Sequence, residues 1–165
     1  MTNTTGDNNV AMGRLALNAN TEADFNTAVG ICSLRRNTTG AQNTTVGACS
    51  LMCNTTGGSN TAMGVCALHV NTTGDQNTAI GISAMQDNTT ADSNTAVGFR
   101  AMDKNTTGTS NVGIGHDTLR CNTTSDNNTA VGTLALCKNT GANNTAVGKS
   151  TLTTNTTGQC NTSLG

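Results

Sequence analysis

The side chains of this chain that could do chemistry are few, and their spacing argues mostly against it. His69 and His116 are the two imidazoles. Neither has partners at the spacing of a zinc ligand set. Two isolated histidines also supply no Ser-His-Asp or Cys-His arrangement for nucleophilic catalysis. Asp7, Asp24, Asp75, Asp92 and Asp126 recur at one position of a repeat. The Gly-Asp spacing of calcium-binding rolls is absent, so they read as turn carboxylates in solvent. Glycine is abundant, yet no Gly-rich loop leads into a helix, which leaves phosphate binding without support. The basic residues Arg35, Arg36, Lys104, Lys138 and Lys149 are sparse, and net charge is −1. Nothing here offers a nucleic acid or an anionic membrane an electrostatic footprint. The expectation is a non-enzymatic protein with no cofactor, no metal, no nucleic-acid partner and no membrane insertion.

Two side-chain sets remain. The seven cysteines scatter over several positions and form no readable framework. Cys32, Cys49 and Cys66 do share one position, and are either small buried thiols or contain one disulfide pair. Asparagine is the second set. Twelve Asn-x-Ser/Thr sequons occur, eight of them at one repeat position: Asn3, Asn37, Asn54, Asn71, Asn88, Asn105, Asn122 and Asn155. The others are Asn43, Asn127, Asn143 and Asn161. Each is a candidate N-glycosylation acceptor.

What positions these residues is a repeat of seventeen, cleanest at 71–87, NTTGDQNTAIGISAMQD. The unit begins with Asn at 3, 20, 37, 54, 71, 88, 105, 122, 139 and 155. A second Asn, at position 7, falls at 9, 26, 43, 60, 77, 94, 111, 128, 144 and 161. Copy nine is one residue short, between Asn139 and Gly141. A period in this range means a solenoid. The fold class is therefore all-β, a parallel β-solenoid of about ten coils, continuous over 1–165 without an internal domain boundary. No apolar run reaches the ~18 residues of a membrane helix. No signal-peptide pattern precedes Asn3, which reads as a leaderless chain or a segment of a longer fibre.

Position 11 is Gly in every copy, including Gly30, Gly47, Gly64 and Gly81, and implies a turn or close backbone approach. Positions 8–10, Thr-Ala followed by Val, Ile or Met in most copies, form the best strand. Positions 14–15 read as a second extended piece and 1–3 as a third. Position 10 (Val29, Val46, Met63, Ile80) is expected to stack as an aliphatic ladder on the inner face with position 8. Position 15 (Leu34, Leu51, Leu68, Met85) forms another ladder. Ten coils at ~4.8 Å make a rod of about 48 Å. Variable positions 5, 6, 12, 13, 16 and 17 fall on exposed corners.

The two Asn columns read as structural ladders: Asn20, Asn37, Asn54 and Asn71 in one, Asn26, Asn43, Asn60 and Asn77 in the other. A stacked amide can satisfy its donor and acceptor on the coils above and below. Glycosylation is the rival, but a glycan at every ~4.8 Å step would crowd its neighbours. The apolar content per coil is thin, so the Ala columns must pack closely, across a flattened coil or against a second chain. Both ends look like the middle, which invites end-to-end association.

The units NTTGDQNTAIGISAM and NTTGGSNTAMGVCAL resemble the NTTGxxNTAxGxxAL repeats of phage-like tail-fibre and surface-fibre proteins. They are more loosely similar to the NSVAIG-type repeats in the heads of YadA-like trimeric autotransporter adhesins. The resemblance implies a left-handed roll, a homotrimer and an adhesive role on an extracellular fibre or a cell or virion surface. Its partners would be copies of itself and host-surface or matrix glycans or proteins. The unit here is longer than is usual in those heads, and no coiled-coil stalk, anchor or chaperone domain is in view. A second functional expectation is an ice-binding solenoid, because Thr fills position 2 throughout. Adjacent threonines at 2 and 3 point to opposite faces, which counts against it.

Overall fold

The computed structural model describes residues 3–165. It is a β-solenoid. Each coil contributes one three-residue strand: β1 (Val10–Met12), β2 (Thr27–Val29), β3 (Thr44–Val46), β4 (Thr61–Met63), β5 (Thr78–Ile80), β6 (Thr95–Val97), β7 (Val112–Ile114), β8 (Thr129–Val131), β9 (Thr145–Val147) and β10 (Thr162–Leu164). They form one parallel sheet in chain order. Like pairs with like: Thr78 with Thr95, Ala79 with Ala96, Ile80 with Val97. Among the described residues there is no helix.

Strands this short are not stable alone. The remainder of each coil is therefore hydrogen-bonded to its neighbour as well. Between the coils 54–70 and 71–87, bonds leave Thr55, Thr61, Leu68 and Val70 in one direction and Gln76, Gly81 and Ser83 in the other. The polar main chain is thus satisfied by repetition along the axis, outside the strands as well as within them.

Positions 14–15 and 1–3, expected to be extended, are not strands. Positions 12–17 are a run of turns, and the ladder leucines sit in the left-handed region, Leu34 at φ 49°, Leu51 at 47° and Leu68 at 50°. Positions 6 and 13 are left-handed too, as at Gln76 (58°) and Cys49 (56°). Three such residues per coil bend the chain sharply enough to close in seventeen. The conformation is costly for branched side chains, and propensity gave no sign of it.

The core also inverts one expectation. Ala28, Ala62, Ala79, Ala96, Ala130 and Ala146, at position 9, are fully buried. Position 10 faces outward with position 8: Val46 is 41% exposed, Ile80 38% and Ile114 40%. Strand alternation allows one choice or the other. The lumen of a seventeen-residue coil is narrow and already holds a Leu or Met from position 15 and two Asn side chains. Alanine fits the space that remains. Two interior coils depart from this pattern. Gly113 replaces Ala where Met102 replaces Leu, and a Cβ on Gly113 would lie 3.0 Å from Met102 Cγ. Thr45 replaces Ala where Ser33 and Ser50 stand at position 14, and Thr45 bonds Ser33 at 2.6 Å.

The short copy nine continues the stack but breaks the Asn ladder. Elsewhere the position 1 oxygen accepts from the next coil, as Asn71 does from Asn88 at 2.7 Å. Asn139 instead turns its amide into its own corner, 2.6 Å from Gly141 O. Asn122 Oδ1 is left buried and without a partner. Inserting Thr between Thr140 and Gly141 restores the full unit. Filling one buried acceptor should raise unfolding free energy by roughly 1–3 kcal/mol. Denaturant titration of the insertion variant checks it; a lower midpoint would show that the neighbouring coils are built around the shorter turn.

Candidate functional site

The Asn columns behave differently from each other. Position 1 is an amide ladder: Asn71 Nδ2 donates to Asn54 Oδ1 at 2.9 Å and to Gly74 O, in its own corner, at 3.0 Å. Position 7 mainly ties side chain to backbone. Asn77 Oδ1 accepts from the Asn94 amide at 3.0 Å, and Asn77 Nδ2 donates to Ala91 O at 2.7 Å. From Asn94 onward a second, weaker bond to the preceding amide is added, 3.2 Å at Asn94. All eight ladder residues from Asn20 to Asn77 are buried.

That burial bears on the glycosylation candidates. Asn37, Asn54, Asn71, Asn88, Asn105 and Asn122 have fully buried side chains. Their Nδ2 atoms each donate twice. In the folded coil these nitrogens have no room for a sugar, so these candidates are corrected to interior ladder residues. Asn3 is exposed and Asn155 half-buried, and both amides also donate into their own corners. Besides Asn3, the exposed sequon asparagines are Asn127 and Asn143, at position 6.

The aspartates at position 5 are latches between coils. Asp24, Asp75, Asp92 and Asp126 each accept the position 5 amide of the preceding coil, at 2.6–2.7 Å. Recurrence at one position was the available signal, but it does not by itself distinguish a latch from a solvated turn. Thr at position 2 is likewise engaged: Thr72 Oγ1 donates to Thr89 O at 3.0 Å.

Charged and aromatic side chains gather on the coils from 71 to 121. Arg100 meets Asp117 at 2.8 Å, and lies 4.8 Å from the centre of the Phe99 ring. Phe99 stacks on His116 at 5.3 Å. Asp117 is buried, although position 13 was expected on an exposed corner. Its ion pairs with Arg100 and Arg120 make a cross-coil cluster, with the His116 ring at 3.6 Å. Asp103 is also buried, beside Lys104 at 3.6 Å. Burial pushes its carboxyl up, Lys104 opposes this and Asp87 adds to it. A carboxyl with a raised folded pKa contributes most stability below its unfolded pKa, and that is lost as pH rises through the folded value. Asp103→Asn should therefore raise the urea midpoint at neutral pH and leave it unchanged near pH 3. Equal effects at both pH values would contradict this.

Among the described residues there is no pocket and no group of three potential metal ligands. No helix is long and apolar enough to cross a membrane. The largest unusual surface is the outward strand face. Position 10 supplies Val46, Met63, Ile80, Ile114 and Val147; position 12 adds Ile31, Val65, Ile82 and Phe99. Val65 is 46% exposed and Ile82 52%. Position 8 adds a row of partly exposed threonines, including Thr44, Thr61, Thr78 and Thr95. Exposed apolar side chains at recurring positions form a strip along the sheet, the kind of surface that marks an interaction face. No family model, curated protein or solved structure matches this chain.

Proposed function

We propose that this chain is a structural segment of a surface fibre, a rod that associates with copies of itself and displays corner side chains at a fixed pitch. The observation that carries this reading is the outward apolar strip of positions 10 and 12. Its register is that of the backbone, so a second copy could meet it coil for coil. Repeated weak contacts at one pitch add by avidity, and the same arithmetic suits adhesion to a repetitive host surface or matrix. An extracellular, cell-surface or virion-surface location goes with that role.

The test is sedimentation of the full chain at up to about 100 μM, compared with a Val65→Lys, Ile80→Lys, Ile82→Lys variant. These side chains lie outside the core, so the variant should keep the strand signal in circular dichroism. The parent is expected to associate and the variant to be monomeric. A parent that remains monomeric would remove the self-associating reading.

The position 8 threonines favour a second reading, an ice-binding face. Their partly exposed side chains line a regular sheet beside aliphatic ones, in the place where the position 2 threonines were expected to serve. Thermal hysteresis or crystal shaping by monomeric parent protein would move the assignment there.

A further inference from the structure

Cys32, Cys49 and Cys66 stand at position 13 of three successive coils. All three are free and half-buried. Their backbones are superimposable in conformation, with φ of 56°, 56° and 57°. Each amide makes the same bond to the preceding coil, to Arg14 O, Ile31 O and Ala48 O at 2.8–3.0 Å. Equivalent atoms on adjacent coils are ~4.8 Å apart, within the ~4.4–6.8 Å over which Cα atoms are bridged by a disulfide. Cys32 and Cys66 are two steps apart, roughly 9.6 Å, beyond the ~7 Å limit.

We propose that this thiol column is a redox-sensitive staple, in which a low-molecular-weight disulfide joins Cys49 to one of its two neighbours and the third thiol exchanges with the bond. A thiolate of Cys32 attacks the small disulfide RSSR, forming Cys32–S–S–R and releasing RS⁻. The Cys49 thiolate then attacks the Cys32 sulfur and expels the second RS⁻. The two thiol protons end on two RSH; the protein is oxidised by two electrons and RSSR is reduced. Burial and the flanking thiols Cys32 and Cys66 push the Cys49 thiol up. Either outer cysteine can make the first attack, and Cys49, the one thiol of the column adjacent to both others, closes the bond. The remaining Cys66 thiolate can attack the Cys49 sulfur, forming Cys49–Cys66 and releasing the Cys32 thiolate with no net oxidation. The central thiol is thus common to both linked forms, and one disulfide ties either pair of coils.

The experiment incubates the full chain in graded ratios of oxidised to reduced glutathione and alkylates the remaining thiols. Cleavage at Arg35, Arg36, Met52 and Met63 puts Cys32, Cys49, Cys53 and Cys66 on separate peptides. Mass spectrometry should find both Cys32–Cys49 and Cys49–Cys66 links, at one per chain, with a loss of about 2 Da. Cys49→Ser should lower column links at least tenfold. Cys66→Ser should keep only Cys32–Cys49, and Cys32→Ser only Cys49–Cys66. Serine fits this position, since Ser83 and Ser150 occupy it in other coils with the same backbone sign. A Cys32–Cys66 link in Cys49→Ser, links mainly to Cys53, or only mixed disulfides at the most oxidising ratio would each overturn the staple. So would absence of links from both outer-cysteine variants.

Discussion

Gly81→Ala should cost about 2–6 kcal/mol of folding free energy, centred near 4, which on a fold assembled from identical coils weakens the stack at its middle. Two independent penalties combine. Gly81 has φ 136°, a region that is essentially confined to glycine and costs other residues ~1–3 kcal/mol. An added Cβ would also collide with Gly98 O and lie 2.7 Å from Gly98 C. The obstacle is backbone, and that backbone is held by its own bond to Ile80 O at 2.8 Å. It cannot swing aside as a side chain would, so overpacking adds ~1–3 kcal/mol or more. Gly74→Ala is the informative control. There too a Cβ would crowd a neighbouring carbonyl, that of Ala91. But position 4 is already Ala at 23 and 91 and Ser at 125, and its φ is not positive. The coil can therefore adjust to a methyl at position 4, and the cost should be a fraction of that at position 11. Equilibrium unfolding in guanidinium measures both. Equal losses for the two variants would show that crowding alone, without the backbone conformation, sets the penalty.

That contrast also shows which features were legible in the sequence. The period, the number of coils and the parallel pairing all follow from where Asn and Gly recur. Position 11 was readable as a special backbone site because glycine there admits no exception. Position 15 was readable as core because Leu and Met alone fill it. The inward or outward sense of the strand was not readable. Val29 and Ile80 look like core residues by type, and Ala28 and Ala79 look neutral. What decides between them is lumen width, which depends on how sharply the turns close. That in turn rests on left-handed residues such as Leu51, Cys49 and Gln76, whose side chains carry no such signature. The position 5 aspartates were visible as a column, but their role depends on a neighbouring amide that only the stacked coil supplies. Chemistry-bearing columns thus divided in an ordered way. The invariant columns at positions 1, 7 and 11 are structural, and the varied positions 12 and 13 supply the apolar strip, the thiol array and the buried Asp117.

Asn77→Ala should be comparably damaging, with an expected loss of about 2–5 kcal/mol. The side chain is fully buried and serves three coils at once. Asn60 Oδ1 accepts the Asn77 amide at 2.9 Å, Asn77 Oδ1 accepts the Asn94 amide at 3.0 Å, and Asn77 Nδ2 donates to Ala91 O at 2.7 Å. Truncation spares the first bond, which uses the backbone of residue 77. It removes the other two: the Asn94 N–H is left buried and unpaired, at ~1–3 kcal/mol, while Ala91 O keeps the bond from Asn88 Nδ2 at 3.2 Å and loses only one of two donors, at ~0.5–1.5 kcal/mol. A small cavity adds to that. Asn77→Asp separates the two functions. Its carboxyl keeps an acceptor for the Asn94 amide but, once ionised, has no donor for Ala91 O. Only the protonated acid can make both bonds. Burial and the facing carbonyl disfavour the carboxylate, so its folded pKa must lie above the unfolded one. The stability of this variant should therefore be near the parent's below about pH 4 and fall as pH rises through the folded pKa, while Asn77→Ala stays low at every pH. Urea midpoints of the three proteins against pH distinguish the outcomes. If Asn77→Asp instead tracks the parent at neutral pH, the Ala91 carbonyl does not require that donor. The ladder would then owe its strength to the Oδ1 atoms alone.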